Sequence, residues 1–311
     1  MLTGWLMILK RSRRRIYQPS ILSLWFDPAH HHEPVEWPKD WLLIMKKTQI
    51  FKGLLKSEKS ILLPVAHDAL TAKIIERVGF KAFSLGGFSI AATRLGMPDL
   101  SLLSFTEMVE AVRNLAGSVS IPMLADADTG YGGIFNVART VKEYENAGAA
   151  LLFIEDQKFP KRCGHMNGKE VISTEDMSAK IRAAVNSRQD PDFLIVSRTD
   201  ARTTHNLNEA IDRSHRYVKA GADIVFIEAP ESVEELKIIA GEVTEVPLLV
   251  NMLEGGKTPL LPQKDLEQMG YKIIAWPISS LLVTVKAVTE LMTELKNKGT
   301  TEGLASKLAG F

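Results

Sequence analysis

The chain has 311 residues, of which 45% are hydrophobic and 24% are charged, and its formal net charge is +1. This composition is typical of a globular protein with one large core or two small ones, and the near-neutral charge excludes a polyanion such as nucleic acid as an expected partner. The single cysteine, Cys163, excludes an internal disulfide and indicates a reducing compartment, for which we expect the cytoplasm. No apolar run reaches the roughly 20 residues that a membrane-spanning helix needs, so we expect no membrane partner.

The first 44 residues differ from the rest of the chain. They combine an arginine-rich run, a triplet of histidines and scattered tryptophan and proline, without a sustained hydrophobic period. Several acidic residues argue against a transit peptide, which is poor in acids. Met45 and the amphipathic stretch behind it are typical of the start of a bacterial or cytosolic protein. We therefore predict that residues 1–44 are an extension outside the fold and that residues 45–311 form one domain.

From residue 60 onward, eight short apolar runs alternate with helical patterns, as in successive βα units of a parallel sheet. Four runs follow a glycine that is placed to end the preceding helix in the left-handed conformation, namely Gly79, Gly148, Gly221 and Gly270. Eight strands in about 220 residues fit an α/β fold of the (β/α)8 TIM-barrel type better than an open doubly wound sheet. The predicted strands are 61–66, 81–85, 121–125, 149–154, 193–197, 223–227, 248–250 and 272–276.

Polar residues follow almost every predicted strand. In a (β/α)8 barrel the functional face lies at the carboxyl ends of the strands, so these residues should meet at one mouth. So many carboxylates in one place require a cation. The residues concerned are His67 and Asp68, Gly86 and Gly87, Asp126 and Asp128, Glu155 and Asp156, Arg198 and Asp200, Glu228, Asn251 and Ser279.

The string DADTGYGG, residues 126–133, directly follows the third predicted strand. Asp126 and Asp128 are two residues apart, so on a strand their carboxylates point to the same side and repel each other unless a cation, a basic group or a proton lies between them. A solvated turn is the alternative interpretation. A hard divalent ion, Mg²⁺ with Mn²⁺ as the alternative, suits oxygen ligands, and the chain lacks the cysteines of a soft-metal site.

Arg198 and Cys163 are the other candidates for chemistry. Arg198 is suited to clamp a substrate carboxylate, and a structural ion pair with Asp200 is an equally good interpretation. Cys163 lies in a long loop, residues 157–173, whose Gly164 and Gly168 are typical of a closing lid. We call this loop the lid. Nearby positive charge is expected to lower the pKa of the Cys163 thiol, so that it exchanges a proton or attacks at neutral pH.

Five strings together resemble the isocitrate lyase and phosphoenolpyruvate mutase superfamily, in collinear order from about residue 62 to residue 300. The lid string KRCGH is specific to the lyase side of that superfamily. The resemblance implies a (β/α)8 barrel, often a tetramer that exchanges its last helices, and Mg²⁺-dependent chemistry on 2-oxo or 2-hydroxy acids through an enolate. The strings are DADTGYGG, IEDQ at 154–157, KRCGH at 161–165, SRTDA at 197–201 and NMLEGGKTP at 251–259.

The resemblance also implies roles for individual residues. Cys163 is expected to protonate the departing carbanion, Arg198 to clamp a substrate carboxylate, and Glu155 to act in catalysis as well as near the metal. The implied metal residues are Asp126 and Asp128, with Asp99 and Glu155 in the water shell. The implied substrate-binding residues are Gly86 and Gly87 through their backbone N–H groups, together with Phe88, Gly164, His165, Arg198, Glu228 and Asn251.

Some positions depart from the family pattern. Methylisocitrate lyases tend to carry Thr-Glu-Phe-Gly where this chain has Leu253–Gly256, and an arginine where it has Leu282. Loss of those polar groups favours a substrate with two carboxylates, with apolar room at Gly255 and Leu282. The string NMLEGGKTP is closer to the alkylmalate and dimethylmalate lyase, petal-death-like branch. Many lyases of the family carry serine in place of Gly86.

We therefore predict a Mg²⁺-dependent carbon–carbon lyase, expected to be a homotetramer. It should cleave a 2-hydroxy dicarboxylic acid of the 2-alkylmalate or dimethylmalate type to a 2-oxo acid such as pyruvate and a carboxylic acid, through an enediolate that Cys163 protonates. Alternatives within the superfamily are carboxyphosphonoenolpyruvate phosphonomutase, 2-methylisocitrate lyase and oxaloacetate hydrolase. An alternative of another class is a barrel that binds a dicarboxylate without catalysis, which Gly86 leaves open.

Overall fold

The computed structural model describes residues 45–310, and the predicted extension over residues 1–44 lies outside the described residues. The described chain divides into two compact units, residues 45–286 and residues 287–310. In the larger unit, eight parallel strands pair in chain order, and the eighth also pairs with the first, so the sheet closes on itself. The prediction of a (β/α)8 barrel is confirmed.

The strands and helices alternate along the chain. The strands are β1 Ile61–Ala66, β2 Phe83–Leu85, β3 Met123–Asp126, β4 Leu151–Glu155, β5 Leu194–Thr199, β6 Ile224–Ile227, β7 Leu248–Asn251 and β8 Ile273–Trp276. The helices are α1 Lys47–Ser57, α2 Ala69–Val78, α3 Gly87–Leu95, α4 Phe105–Ser118, α5 Ile134–Asn146, α6 Thr174–Ser187, α7 Ala201–Thr204, α8 Leu207–Lys219, α9 Val233–Glu242, α10 Gln263–Met269 and α11 Ser279–Lys298.

All eight predicted strands are present, with ends that differ by up to two residues. The observed strands β2, β3 and β4 begin two residues later than predicted. At β4 the reason is visible, because the Ala149 N–H donates to the Tyr144 carbonyl and so closes α5 instead of joining the sheet. At their other ends β4 and β5 run further than predicted, and Glu155 pairs in register with Arg198. Two candidate site residues therefore lie on strands and not on loops.

The four glycines predicted to end helices do so. Their φ angles are +102° at Gly79, +97° at Gly148, +107° at Gly221 and +110° at Gly270, a region that residues with a side chain rarely adopt. Gly79 and Gly270 follow their helices directly, whereas Gly148 and Gly221 lie one residue further on. The carboxyl ends of the strands lie on one face of the barrel because all neighbouring strands are parallel.

Side chains inside the barrel fill its axis. Buried residues from alternating strand positions, such as Leu63, Phe153, Phe226 and Leu249, form one cluster there, and separate clusters lie between the strands and the helices. Because the axis is packed, space for a ligand remains at the mouth. Within residues 45–310 no helix combines the length and the apolar character needed to cross a membrane.

Candidate active site

A cavity of about 210 Å³ lies at the carboxyl ends of the strands. Its floor is apolar and includes Leu124, Phe153, Phe226 and Leu249 from the barrel interior. Of the thirteen predicted site residues, Glu155 and Asp128 do not line the cavity but contact residues that do. The eleven that line it are Gly86, Gly87, Phe88, Asp99, Asp126, Cys163, Gly164, His165, Arg198, Glu228 and Asn251.

The two aspartates of DADTGYGG come together through a turn. Strand β3 ends at Asp126, and Asp128 has a left-handed φ of +47°. The Asp128 N–H donates to Asp126 Oδ1 at 2.9 Å, and the Gly87 N–H, at the start of α3, donates to Asp126 Oδ2 at 2.8 Å. The two carboxylates approach each other as expected, but they do so through this turn and not along a strand, because the strand stops between them. The predicted donor Gly87 therefore binds a carboxylate of the protein itself.

A lysine of the lid supplies the positive charge that this acidic cluster needs. Lys161 Nζ lies 2.7 Å from Asp128 Oδ1 and 2.8 Å from Asp99 Oδ2, and its side chain is only 3% exposed. Burial raises the pKa of Asp128 to about 6, although Lys161 opposes the shift. Burial lowers the pKa of Lys161, but the carboxylates of Asp128 and Glu155 reverse this and hold it well above its ordinary value. This pairing is not among the sequence-based predictions, although Lys161 is the first residue of KRCGH.

The acidic residues fit a hard cation. Glu155 is fully buried, and neither of its oxygens accepts a hydrogen bond from the residues the structure describes, although Arg198 Nη1 lies 3.2 Å from Oε2. Burial raises the pKa of Glu155 well above its ordinary range, against the opposing charges of Arg198 and Lys161. Across residues 45–310, no three His, Cys, Asp or Glu side chains form a ready metal cage. Mg²⁺ needs only one or two carboxylates besides water and substrate oxygens, so Asp126 and Asp128 are sufficient.

Arg198 forms the structural ion pair with Asp200 that is one of the two interpretations of its role. Its Nε donates to Asp200 Oδ2 at 3.0 Å, and Nη2 lies 3.2 Å from Asp200 Oδ1 and also 3.2 Å from Glu228 Oε2. The guanidinium also lies over the Phe226 ring, 5.3 Å from its centre. It is nevertheless part of the cavity wall. Arg198 is thus part of a buried ion-pair cluster and also lines the cavity.

Glu228 joins Arg198 to the far side of the cavity. Burial raises the pKa of Glu228, but Arg198 and then His165 more than offset this and lower it to about 2. The Lys257 N–H donates to His165 Nδ1 at 3.1 Å, so the ring proton is on Nε2, which lies 3.3 Å from Glu228 Oε1. Asn251 Nδ2 donates to Glu228 Oε2 at 3.3 Å. The predicted substrate residues on this side form one connected polar network.

The lid covers the cavity and carries the cysteine. An antiparallel bridge between Gln157 and Val171 ties its two ends together. Gly164 lies flat on Arg198, since a Cβ there would be 2.3 Å from Arg198 Nη2. Burial raises the pKa of the half-buried Cys163 thiol, and nearby Arg198 does not reverse this. The expectation of a lowered thiol pKa is wrong, because burial outweighs the positive charge nearby.

The expectation that Gly255 and Leu282 leave apolar space for the substrate is also wrong. Neither residue lines the cavity, and Leu282 is 43% exposed. Apolar walls are instead provided by the barrel floor, by Leu253 and by Ile278. The departures from the family pattern therefore do not act by enlarging the cavity at those two positions.

Comparison with known proteins agrees with this geometry. The family model described as phosphoenolpyruvate phosphomutase matches residues 51–296. A 2,3-dimethylmalate lyase of Eubacterium barkeri is 49% identical over 84% of this chain and 90% of its own length.

Solved structures of related enzymes are also similar to this chain. A 2,3-dimethylmalate lyase has a TM-score of 0.81 at 35% identity, covering 85% of this chain and 89% of that one. A phosphonopyruvate hydrolase in complex with oxalate and Mg²⁺ has a TM-score of 0.78 at 30% identity, covering 86% and 92%. The resemblance inferred from the sequence strings is confirmed, and the chain belongs to the phosphoenolpyruvate phosphomutase family.

Proposed function

We propose that the protein cleaves a carbon–carbon bond of a 2-hydroxy dicarboxylic acid, of the 2-alkylmalate or 2,3-dimethylmalate type, in a reaction that depends on Mg²⁺. The family relationship supports a carbon–carbon lyase. The observation that carries the substrate class is the composition of the cavity wall, where a protonated thiol, a guanidinium and an acidic turn surround an apolar floor. A substrate with carboxylates at its ends and an alkyl group between them matches this wall.

The site residues have separate tasks in this reaction. Arg198 binds a substrate carboxylate, since its guanidinium is fixed by Asp200 and Glu228 and needs no reorganisation. The 2-hydroxyl group gives its proton to water at the cavity mouth and becomes the carbonyl of the 2-oxo acid as the C2–C3 bond breaks. The electron pair of that bond moves to C3 and gives the enediolate of the second acid. Cys163 donates its thiol proton to C3, which yields the carboxylic acid and a thiolate. A proton from water restores the Cys163 thiol after the products form.

The acidic residues would hold the metal. Asp126 and Asp128 are the proposed direct residues, and Asp99 and Glu155 the proposed water-shell residues. A bound Mg²⁺ ion supplies Lewis acidity toward the substrate oxygens and neutralises the carboxylate cluster. The orphaned oxygens of Glu155 and the all-oxygen character of the cluster support this proposal. Mn²⁺ has similar ligand preferences and is expected to substitute.

The positive charge on the cavity wall favours two substrate carboxylates over three. Among the described residues, Arg198 is the only lysine or arginine that lines the cavity, and it already faces Asp200, Glu155 and Glu228. A third buried carboxylate would find no unoccupied cation to offset its loss of hydration.

Pyruvate release tests the proposed function directly. Wild-type protein with Mg²⁺ and 2,3-dimethylmalate should release pyruvate, and EDTA should stop the release. Asp126→Ala should remove activity while the protein still folds, because this carboxylate lines the cavity at the mouth and does not lie in the barrel core. Asp212→Ala, which changes an exposed aspartate of α8, is the matched control and should behave like wild type.

Other outcomes separate the alternatives. Activity that survives both EDTA and Asp126→Ala contradicts the metal proposal. Rearrangement of a phosphonate without lyase activity favours a phosphonomutase, and cleavage of oxaloacetate alone favours a hydrolase. Binding of a dicarboxylate without any turnover favours a barrel that only binds its ligand.

We also propose a homotetramer in the cytoplasm. Large apolar side chains along α11 are about half exposed in the single chain, among them Val283, Val288, Met292 and Leu295. Exchange of the last helices between subunits would cover such side chains. The single cysteine suits a reducing compartment. Light scattering on the purified protein should give four times the chain mass of 34.5 kDa, and a monomer mass would contradict the proposal.

A further inference from the structure

Two lysines of the lid lie in opposite environments. Lys158 is 64% exposed and pairs at 3.0 Å with Glu170, which is itself exposed. The side chain of Lys169 is 1% exposed, its Nζ lies 2.6 Å from Asp200 Oδ1, and it also donates to the Gly164 carbonyl. Burying an ammonium group is strongly unfavourable unless a carboxylate and further acceptors surround it. Such complete burial on a surface loop points to a role for Lys169 beyond solubility.

Asp200 connects Lys169 to Arg198. Its Oδ1 is shared by Lys169 Nζ and Arg198 Nη2, and its Oδ2 accepts from Arg198 Nε. Asp200 is fully buried, and its N–H donates to Asp156 Oδ1 at 2.9 Å. Asp200 is thus anchored through its backbone, and its carboxylate links the Lys169 ammonium group to the Arg198 guanidinium.

The charges explain why a second cation is needed. Arg198 faces the carboxylates of Asp200, Glu155 and Glu228. Without Lys169, the charge of Asp200 would be balanced by Arg198 alone, and less positive potential would remain for a ligand. Lys169 takes part of the Asp200 charge and leaves Arg198 cationic toward the cavity.

The same ammonium also fixes the lid against Arg198. It holds the Gly164 carbonyl, and Gly164 lies so close to Arg198 that a Cβ would be 2.3 Å from Nη2. The residue before Gly164 is Cys163, the proposed proton donor. The buried ammonium group of Lys169 therefore holds the lid through the Gly164 carbonyl and contacts the Asp200 carboxylate that orients Arg198.

We propose that Lys169 is a positioning residue that couples lid closure to the orientation and charge of Arg198. When the lid closes, Lys169 moves next to Asp200 and offsets part of the negative charge of its carboxylate. The positive potential of Arg198 toward the cavity is therefore highest when the lid is closed. The expected effect of Lys169 on substrate affinity rests on the proposed function, because it assumes that Arg198 binds a substrate carboxylate. The expected effect of Lys169 on lid closure does not depend on the proposed function.

Alkylation of Cys163, the only cysteine of the chain, measures lid closure without any turnover. The variants are Lys169→Met, which removes charge and donor, and Lys169→Gln, which removes the charge but keeps a donor. Lys158→Met is the matched control, since it removes an exposed lysine of the same lid. With iodoacetamide and no substrate, Lys169→Met should react at least about fivefold faster than wild type, Lys169→Gln should fall between the two, and the control should stay within about twofold.

Kinetics with 2,3-dimethylmalate give the second readout. Both Lys169 variants should raise KM at least about tenfold, whereas Lys158→Met should not. An unchanged alkylation rate in both Lys169 variants overturns the proposal, even if KM rises. If Lys169→Met does not fold, the alkylation rate of Lys169→Gln alone tests the proposal, and a rate equal to that of wild type overturns it. If wild type releases no pyruvate but the variants still alkylate faster, the proposed function fails while the coupling of Lys169 to closure stands.

Discussion

Gly164→Ala tests whether the lid seats on Arg198 as the structure shows. The added Cβ would lie 2.3 Å from Arg198 Nη2 and 2.6 Å from Glu228 Cγ. Ordinary contact between such atoms is about 3.5 Å or more, so either the lid or the guanidinium must move by about 1 Å. Arg198 is held by three carboxylates, so the lid should yield and carry Cys163 away from its working position.

The cost follows from known effects of overpacking. Inserting one methyl group into a packed site costs about 1–3 kcal/mol, and each 1.4 kcal/mol corresponds to about a tenfold change. We therefore expect kcat/KM for 2,3-dimethylmalate to fall by roughly 10-fold to 100-fold, with little change in melting temperature, because the lid is a surface loop. A coupled assay for pyruvate gives the rates.

Gly133→Ala is the matched control for this prediction. Gly133 also lies in a loop at the mouth, but a Cβ there would meet no atom within 4 Å, and its φ is −80°. This variant should keep kcat/KM within about twofold of wild type, as surface substitutions usually do. Equal activity of Gly164→Ala and wild type would contradict the close contact between Gly164 of the lid and Arg198.

The remaining predictions concern the proton donor, one buried carboxylate and the first residues of the chain. Cys163→Ser should lower kcat at least about 10²-fold while ligand affinity changes little, since a hydroxyl is a much weaker acid than a thiol; full activity would exclude the thiol as donor. The pKa of Glu228 is lowered to about 2, so its stabilising effect is complete above its ordinary pKa of 4.5 and is lost as the pH falls toward 2. Denaturation of Glu228→Gln should therefore show a loss of stability at pH 7, on the order of 3 kcal/mol, that shrinks between pH 4.5 and pH 2; a loss that does not depend on pH would contradict the ion pair. Removal of residues 1–44 should leave activity and melting temperature nearly unchanged, and a clear fall in either would show that this segment contributes to the fold.

Much of the barrel was predictable because its signals are local. The apolar runs, the helix patterns and the four glycines each depend on a few neighbouring residues, and they placed all eight strands. The exact ends were less predictable, because the Ala149 N–H is used to close a helix and Glu155 and Arg198 extend their strands by pairing. Those choices depend on neighbours that are distant in sequence.

The sequence predicted many of the residues that line the cavity, but it did not predict which side chains contact each other there. The positions of polar residues after strands identified six residues of the cavity wall, among them Asp126, Arg198 and Glu228, and the family resemblance added others such as Cys163 and His165. The partners within it depend on side chains that meet only in the folded barrel, such as Lys161 with Asp99 and Asp128. Lys158 and Lys169 cannot be told apart from the sequence, yet one is exposed and the other is buried. The direction of the Cys163 pKa shift was missed for the same reason, since burial outweighs the charges that lie next to it in the sequence.

The most direct test of the account compares 2,3-dimethylmalate with 2-methylisocitrate in one assay of pyruvate or 2-oxo acid release with Mg²⁺. A cavity wall with Arg198 as its only lysine or arginine among the described residues should favour the acid with two carboxylates. We expect kcat/KM for 2,3-dimethylmalate to be at least about 10²-fold higher, the factor expected for one buried charge without a partner. Equal or faster cleavage of 2-methylisocitrate would contradict the proposed substrate class.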